Sequence, residues 1–236
     1  MASAARRPYE KIPPPVFDFH PPTLLSDGEL VAAELARRAR VAGYEVLGLA
    51  DHADHGCLDT VLSAARASAL ALAGRLDGLT ILPGVEITHV PPALLGDLVR
   101  RARDLGASHV VVHGESPVEP VAPGTNLAAI EAGADLLAHP GLLSEKEAAL
   151  AAEKGVFLEL SFRGGHGLTN GRVARLARKY GAGLLVSSDG HTVGDYLTPE
   201  LQRLTALGAG LDEEEFAGLM AGAARLAETA RRRLQA

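Results

Sequence analysis

The sequence predicts an α/β barrel in which seven parallel strands alternate with helices. Short apolar runs alternate with stretches rich in Ala, Leu and Arg along most of the chain. The runs are almost wholly apolar, as expected for strands buried on both faces. Nearly every run ends on His, Asp or Glu, and only a barrel brings all carboxyl strand ends to one mouth. An open doubly wound sheet would spread the same residues along a crevice, so the barrel is favoured.

The element boundaries follow from turn and cap residues. Gly43, Gly106 and Gly133 end three helices, and Ser144 with Glu147 forms a capping box. The predicted strands cover residues 16–20, 45–50, 79–85, 109–113, 135–139, 156–160 and 183–187. The predicted helices cover residues 29–42, 58–76, 93–105, 126–132, 144–154 and 170–180, with two more within 199–234.

Composition limits the class of protein. A chain of 236 residues that is 47% hydrophobic supports one domain, placed at 16–236 after a flexible arm over 1–15. The formal charge of −6 argues against a broad nucleic-acid or anionic-membrane surface. Cys57 has no partner for an internal disulfide, and no apolar run reaches the roughly 18 residues of a membrane span. We therefore expect a cytoplasmic protein.

The residues at the strand ends are of the kinds that bind metal ions. Any one of these histidines is more often structural than a ligand. Six of seven strand ends carrying His, Asp or Glu would, however, destabilise a purely structural barrel, because buried unpaired polar groups are costly. His and carboxylate without clustered thiolates suit zinc, manganese or iron. The sequence therefore predicts two or three divalent ions at the barrel mouth.

The strand ends also form short motifs. They are Asp18-Phe19-His20 with Ser26-Asp27-Gly28, Ala50-Asp51-His52, Pro83-Gly84-Val85-Glu86, His113-Gly114-Glu115, Ala138-His139-Pro140 and Ser188-Asp189-Gly190-His191. In combination they resemble the PHP (polymerase and histidinol phosphatase) family from about Phe17 to Thr198, although each motif alone is weak. The resemblance implies a distorted seven-stranded, TIM-barrel-like (β/α) barrel with up to three metal ions.

The resemblance also assigns metal ligands. It implies that Glu86 bridges two ions, that His20 and Asp189 complete one of these sites, and that His113 and His139 complete the other. It implies that a third ion is held by Asp27, His52 and His191. Pro22 stands where the family places the second histidine of its first motif, and proline has no donor side chain. Water, His55 or another nearby group could replace that donor, or the ion could be absent.

Other polar residues have less specific roles. Arg163, His166 and Asn170 follow the sixth strand in a Gly-rich loop and could bind substrate, with Arg163 clamping a phosphate and His166 donating a proton. A solvated flexible loop is an equal alternative. Glu115 could orient a ligand histidine or be a solvated loop carboxylate. We expect His89 and His109 to be structural.

The leading functional hypothesis is a metal-dependent hydrolase, most specifically a phosphoesterase, and the resemblance to histidinol phosphatases suggests histidinol phosphate as one candidate substrate. A metal-bound hydroxide would attack a small phosphomonoester, with Glu86, Asp189, Arg163 and His166 as the catalytic residues. The expected partner is a small phosphorylated molecule, with no nucleic acid and no membrane; the sequence does not indicate the oligomeric state. The alternatives are hydrolysis of an amide or ester, or a non-catalytic metal- or ligand-binding protein, which the missing donor at Pro22 keeps open.

Overall fold

The computed structural model describes residues 15–235, which form a nearly closed parallel barrel surrounded by helices. Seven strands follow one another around the barrel, and a short extra strand, β3, pairs with β4. This confirms the predicted fold; the arm expected over 1–15 lies almost entirely outside the described residues. The strands are β1 Val16–Asp18, β2 Tyr44–Leu49, β3 His52–Ala53, β4 Thr80–Ile87, β5 His109–His113, β6 Leu136–Ala138, β7 Phe157–Ser161 and β8 Leu184–Ser187.

Helices connect successive strands on the outside of the barrel. Gly43 ends α1 in the left-handed conformation that glycine adopts without strain (φ 97°), and the capping box at Ser144 and Glu147 is present at the start of α5. The two-residue strand β3 has too short a run to be detected by periodicity. The helices are α1 Ala32–Ala42, α2 Leu58–Leu72, α3 Pro92–Asp104, α4 Thr125–Glu131, α5 Glu145–Lys154, α6 Asn170–Tyr180, α7 Pro199–Gly208 and α8 Glu213–Gln235, with a short 3-10 helix at His166–Thr169.

A buried carboxylate links the two ends of the barrel wall. Within residues 15–235 no backbone ladder joins β1 to β8. Asp18 instead accepts hydrogen bonds from the backbone N–H of Ser188 (3.2 Å) and from the hydroxyl of Tyr44 (3.1 Å). Burial raises the pKa of Asp18, so these hydrogen bonds offset the cost of placing its carboxyl group there.

Helix α8 covers the amino end of the barrel. Its apolar face packs against side chains of the barrel interior, among them Leu82, Val111 and Leu136. Arg233 of α8 donates to the carbonyl oxygen of Ser108 (3.0 Å), just before β5 begins. The amino end is therefore closed by packing, which leaves the carboxyl end as the mouth. Among the described residues, no helix combines the length and apolar character needed to cross a membrane.

His109 fills the barrel interior below the mouth. Its Nε2 lies 3.1 Å from the carbonyl oxygen of Phe19, and burial lowers its pKa to about 4. The imidazole is therefore neutral, in keeping with the structural role expected for it. Two glycines make room for the ring, because a Cβ on Gly48 or Gly84 would lie 2.7 Å or 2.2 Å from a His109 ring atom.

We predict that Gly84→Ala lowers the free energy of unfolding by about 1 to 3 kcal/mol, because the added methyl group overpacks the barrel interior against His109. Urea denaturation measures the change. Gly96→Ala is the matched control, since a Cβ on this exposed residue of α3 meets no atom within 4 Å. The control should be neutral or stabilising by roughly 0.5 to 1 kcal/mol. Equal stability of the two variants would contradict the packing.

Candidate metal centre

The carboxyl strand ends meet at one mouth, and all eight residues predicted to bind metal lie there. His20 follows β1, His52 begins β3, and Glu86 lies in β4. His113 ends β5, and Asp189 lies two residues beyond β8. The remaining three are in the adjoining loops: Asp27, His139 and His191.

Glu86 lies at the centre of the group. One carboxylate oxygen is 2.9 Å from His113 Nδ1 and 3.2 Å from His20 Nε2, and the other is 2.8 Å from His52 Nε2. Burial alone would raise the pKa of Glu86, but the neighbouring His20 and His52 outweigh it and hold the pKa well below its usual range. Glu86 is thus an anion in a buried setting, and it requires cationic groups around it.

Two buried imidazole nitrogens at the mouth, both in the ring of His139, have no hydrogen-bond partner within the described chain. Nε2 of His20 and of His113 have only a carboxylate beside them, Glu86 at 3.2 Å and Glu119 at 3.0 Å. Unpartnered buried polar atoms are rare in proteins because they are costly. Burial, with the charges of His113 and His166, holds the pKa of His139 well below its usual range. A neutral imidazole with a free nitrogen is the form that binds a metal ion, so these residues fit divalent ions.

The donor atoms form four sets of three, each with its atoms within 4.8 Å of one another. Two of the sets share His113 and the other two share His139, and the two groups adjoin because the centroids of these rings are 4.4 Å apart. The sets are His20, His139 and Glu159; His52, Glu86 and His113; His89, His113 and Glu119; and His139, His166 and Asp189.

The three residues expected to hold a third ion lie on one side of the mouth. His191 Nε2 lies 2.5 Å from Asp27 Oδ2 and 2.8 Å from Arg163 Nη1. His52 Nε2 is 3.8 Å from the same Asp27 oxygen. The structure therefore brings Asp27, His52 and His191 together as predicted, and places Arg163 beside them.

Asp189 and His166 lie against each other near this group. His166 Nε2 is 3.7 Å from Asp189 Oδ2, and Arg163 donates to Asp189 Oδ1 at 3.3 Å. Burial is the main cause that raises the pKa of Asp189 to about 7. Its carboxyl group can therefore gain or lose a proton near neutral pH when no ion is bound.

Two carboxylates that sequence reasoning missed contact the histidines. Glu159, within β7, accepts from His20 Nδ1 (2.8 Å) and from the backbone N–H of His139 (2.7 Å). Glu119, in the loop before α4, lies 3.0 Å from His113 Nε2. The signal for Glu159 was a single charged residue inside a buried apolar strand, Phe157–Ser161. For Glu119 the sequence offered no comparable signal.

Glu159 is a candidate replacement for the metal-binding side chain that is missing at Pro22. Pro22 is buried, and its carbonyl oxygen lies so close to Gly28 that a Cβ there would be 2.7 Å from it. Glu159 supplies a carboxylate beside His20 on the inner side of the site. His55 is exposed in the turn after β3 and belongs to none of the four donor sets.

The side chains of Asn170 and Glu115 form hydrogen bonds with the backbone and not with the candidate metal ligands. The Asn170 side chain accepts from the N–H of Ser161 (3.1 Å) and donates to its carbonyl (2.9 Å), so both of its polar groups are engaged by the backbone. This engagement argues against the substrate-binding role expected for it. Glu115 accepts from the N–H groups of Gly124 (2.9 Å) and Asn126 (3.0 Å) and so stabilises the start of α4.

Backbone strain is concentrated at the mouth. Within residues 15–235, three residues other than glycine have positive φ: His89 (53°), His139 (24°) and Asp189 (49°). Such conformations are costly and occur most often at functional sites. Two of the three are predicted ligands. The third is His89, which lies 3.2 Å from Glu119 and was expected to be structural.

Comparison with known proteins defines the family. No family model matches the sequence. The chain is 41% identical over 201 residues to the uncharacterized protein MJ1295 of Methanocaldococcus jannaschii, covering 85% of this chain and 92% of that protein. The chain belongs to the family of this archaeal protein. It is also 28% identical over 208 residues to ribonuclease P protein component 3 of Methanosarcina mazei, covering 80% of this chain and 79% of that protein.

Solved structures share the fold. A chain of archaeal ribonuclease P with mature tRNA matches with a TM-score of 0.69 at 17% identity, over 89% of this chain and 91% of that one. A Listeria monocytogenes protein assigned as a histidinol phosphatase gives 0.54 at 14% identity, over 75% and 96%. Adenine deaminase from Arthrobacter aurescens gives 0.55 at 13% identity, over 87% and 78%. At the level of fold, the PHP-like barrel expected from the motifs is supported.

These relatives contradict one expectation. A small phosphorylated molecule as partner, with no nucleic acid, does not agree with sequence similarity to a protein component of ribonuclease P. The physical reason is that a net charge averages over the whole surface, whereas binding depends on local charge. In this family member three arginines, Arg37, Arg40 and Arg75, and one acidic residue, Asp77, line one surface cavity despite the overall charge of −6.

The contact between Glu119 and His113 predicts a pH-dependent contribution to stability in the metal-free protein. Hydrogen bonding to His113 is the main cause that lowers the pKa of Glu119 from 4.5 to about 2, so its contribution is present above pH 4.5 and is lost as the pH falls towards 2. Burial lowers the pKa of His113, but Glu119 and Glu86 outweigh it and raise the pKa from 6.5 to about 9. The contribution of His113 is therefore present below pH 6.5 and is lost as the pH rises through 9.

We predict that Glu119→Gln lowers the free energy of unfolding by about 1 to 2 kcal/mol at pH 6 and by clearly less at pH 10. Urea denaturation of metal-free protein at both pH values measures the difference. Glu228→Gln makes the same chemical change at an exposed position and should have the same small effect at both. An equal loss for Glu119→Gln at both pH values would rule out the charged pair.

Proposed function

We propose that this protein is a metal-dependent hydrolase whose catalytic centre is the cluster around Glu86. The observation that carries the proposal is the buried Glu86 carboxylate, contacted by three histidines in a mouth where other imidazole nitrogens have no partner. A structural barrel would gain nothing from this arrangement, because each unpartnered group destabilises it. The proposed ligands are the eight residues named from the sequence, with Glu159 added beside His20.

Bound divalent ions would supply Lewis acidity and lower the pKa of a water molecule. The surrounding side chains provide the remaining functions. The Arg163 guanidinium, half-buried beside Asp189 and His191, is placed to bind an anionic or carbonyl oxygen of the substrate. His166 is buried, and burial lowers its pKa. Its Nε2 lies between Glu119 and Asp189, where it can accept and return a proton.

The bond that is hydrolysed is not fixed by this geometry. The fold is shared with proteins named for phosphatase and for deaminase activity, so likeness of fold does not select a phosphoester. The proposal therefore covers phosphoester, amide and ester bonds, and a panel of substrates, with structured RNA among the phosphodiesters, decides among them.

We predict that Glu86→Gln loses bound metal and lowers hydrolysis of any substrate found on the panel by at least about 100-fold, because the central charge is removed without a change of shape. Metal content by inductively coupled plasma mass spectrometry and turnover are measured on the same samples. Glu228→Gln, at an exposed position, is the control. Full metal content and turnover in Glu86→Gln would refute the assignment.

A second candidate is a non-catalytic protein that assembles with RNA, favoured by the 28% identity with ribonuclease P protein component 3. The cavity lined by Arg37, Arg40 and Arg75 is the described surface that suits it, because RNA binding depends on cations that contact phosphates. This cavity lies at the end of the barrel opposite the mouth, since α1 ends and the α2–β4 loop turns there.

If this candidate is correct, Arg37→Gln with Arg75→Gln weakens binding of structured RNA. The slope of log affinity against log salt concentration falls by roughly 1.8, or 0.9 for each lost contact. Filter binding over a range of salt concentrations measures it. Arg100→Gln is the control, because Arg100 is exposed on α3 and paired with Asp97. Unchanged affinity and slope in the double variant would exclude this surface.

A further inference from the structure

Three residues from separate segments meet at the rim of the mouth, and only one of them, His113, also contacts Glu86. His89 follows β4, His113 ends β5, and Glu119 lies in the loop before α4. Glu119 Oε2 is 3.2 Å from His89 Nε2 and 3.0 Å from His113 Nε2. All three donor atoms lie within 4.8 Å of one another. We refer to His89, His113 and Glu119 as the outer site.

Two independent observations indicate that the outer site binds a ligand. His113 is nearly fully buried, with 4% of its side chain exposed, and its Nε2 faces the Glu119 carboxylate at 3.0 Å, where a cation can replace the proton between them. The His89 backbone has a φ of 53°, a strained conformation that a purely structural loop residue has no reason to keep. The strain places the His89 ring with its centroid 4.8 Å from that of His113.

We infer that the outer site binds one divalent cation of the zinc type, separate from the ions around Glu86. Two histidines and one glutamate form a donor set known for zinc sites that keep a fourth position open for water or substrate. His113 serves this site through Nε2, while its Nδ1 lies 2.9 Å from Glu86, so the ring stands between the outer site and the inner ions. A carboxylate behind a ligand histidine fixes the ring and raises its basicity.

The position of the outer site gives it a role in substrate binding. About a third of each of the His89 and Glu119 side chains is exposed, against 2% for Glu86, so the site is open to solvent. His166, proposed above to transfer a proton, lies beside the site, with its Nε2 3.4 Å from Glu119 Oε1. An anionic oxygen of a substrate entering the mouth would meet the outer cation first. This role goes beyond hydrolysis itself, because the outer site shares only His113 with the inner cluster.

The test is a zinc titration of metal-free protein by isothermal calorimetry, with the number of ions per chain checked by mass spectrometry. The variants are His89→Gly, which retains the positive φ without strain, and Glu119→Gln. His55→Ala is the matched control, because His55 is exposed at the same end of the barrel and belongs to no donor set. Glu86→Gln reports on the inner ions.

We expect His89→Gly and Glu119→Gln each to bind one zinc ion fewer per chain than the wild type, and His55→Ala to bind the same number. Glu86→Gln should lose inner ions and retain the ion that depends on His89. If no hydrolysis is found, the number of zinc ions bound by His89→Gly and by the wild type still tests whether the outer site binds an ion. Equal zinc numbers and affinities in these two proteins would overturn the inference, as would loss of every ion in Glu86→Gln.

Discussion

The mouth of this barrel is organised by the need to neutralise one buried carboxylate. Glu86 is 1% exposed, yet it contacts His20, His52 and His113. A carboxylate cannot remain charged at such a depth without cationic partners, since desolvation costs several kcal/mol per ion. Either the histidines are protonated or metal ions take the place of their protons. The second state also satisfies the imidazole nitrogens that otherwise lack partners, which is why the cluster fits metal ions better than protons.

Two further carboxylates, those of Glu159 and Glu119, also lie against histidines of the mouth. Glu159 contacts His20 and Glu119 contacts His113, so each ring has one of these carboxylates at one nitrogen and Glu86 at the other. Such pairs set which ring nitrogen carries the proton and therefore which one is free to bind. The first pair is sealed inside the barrel and the second is open to solvent. The inner part of the cluster is thus shielded from solvent, while its rim is accessible to it.

The sequence predicted the fold and most of the centre because both depend on regular features. Parallel strands bury both faces and end at one mouth, so apolar runs locate the strands and their last residues locate His20, His113 and His139. The prediction failed where position depends on three-dimensional detail. The sixth predicted strand was thought to lack a ligand-type residue, but Glu159 projects from its interior rather than from its end. His89 and Glu119 lie in loops whose conformation periodicity does not determine.

The error about partners has a different origin, which is the distribution of charge between the two ends of the barrel. A net charge of −6 includes the carboxylates of the mouth, which face one another and the histidines rather than an approaching polyanion. The arginines of the cavity formed by Arg37, Arg40 and Arg75 lie at the opposite end, where α1 ends. Association through one end would leave the mouth free. Similarity to a component of ribonuclease P and a set of metal-binding side chains are therefore compatible, because the barrel keeps the two surfaces apart.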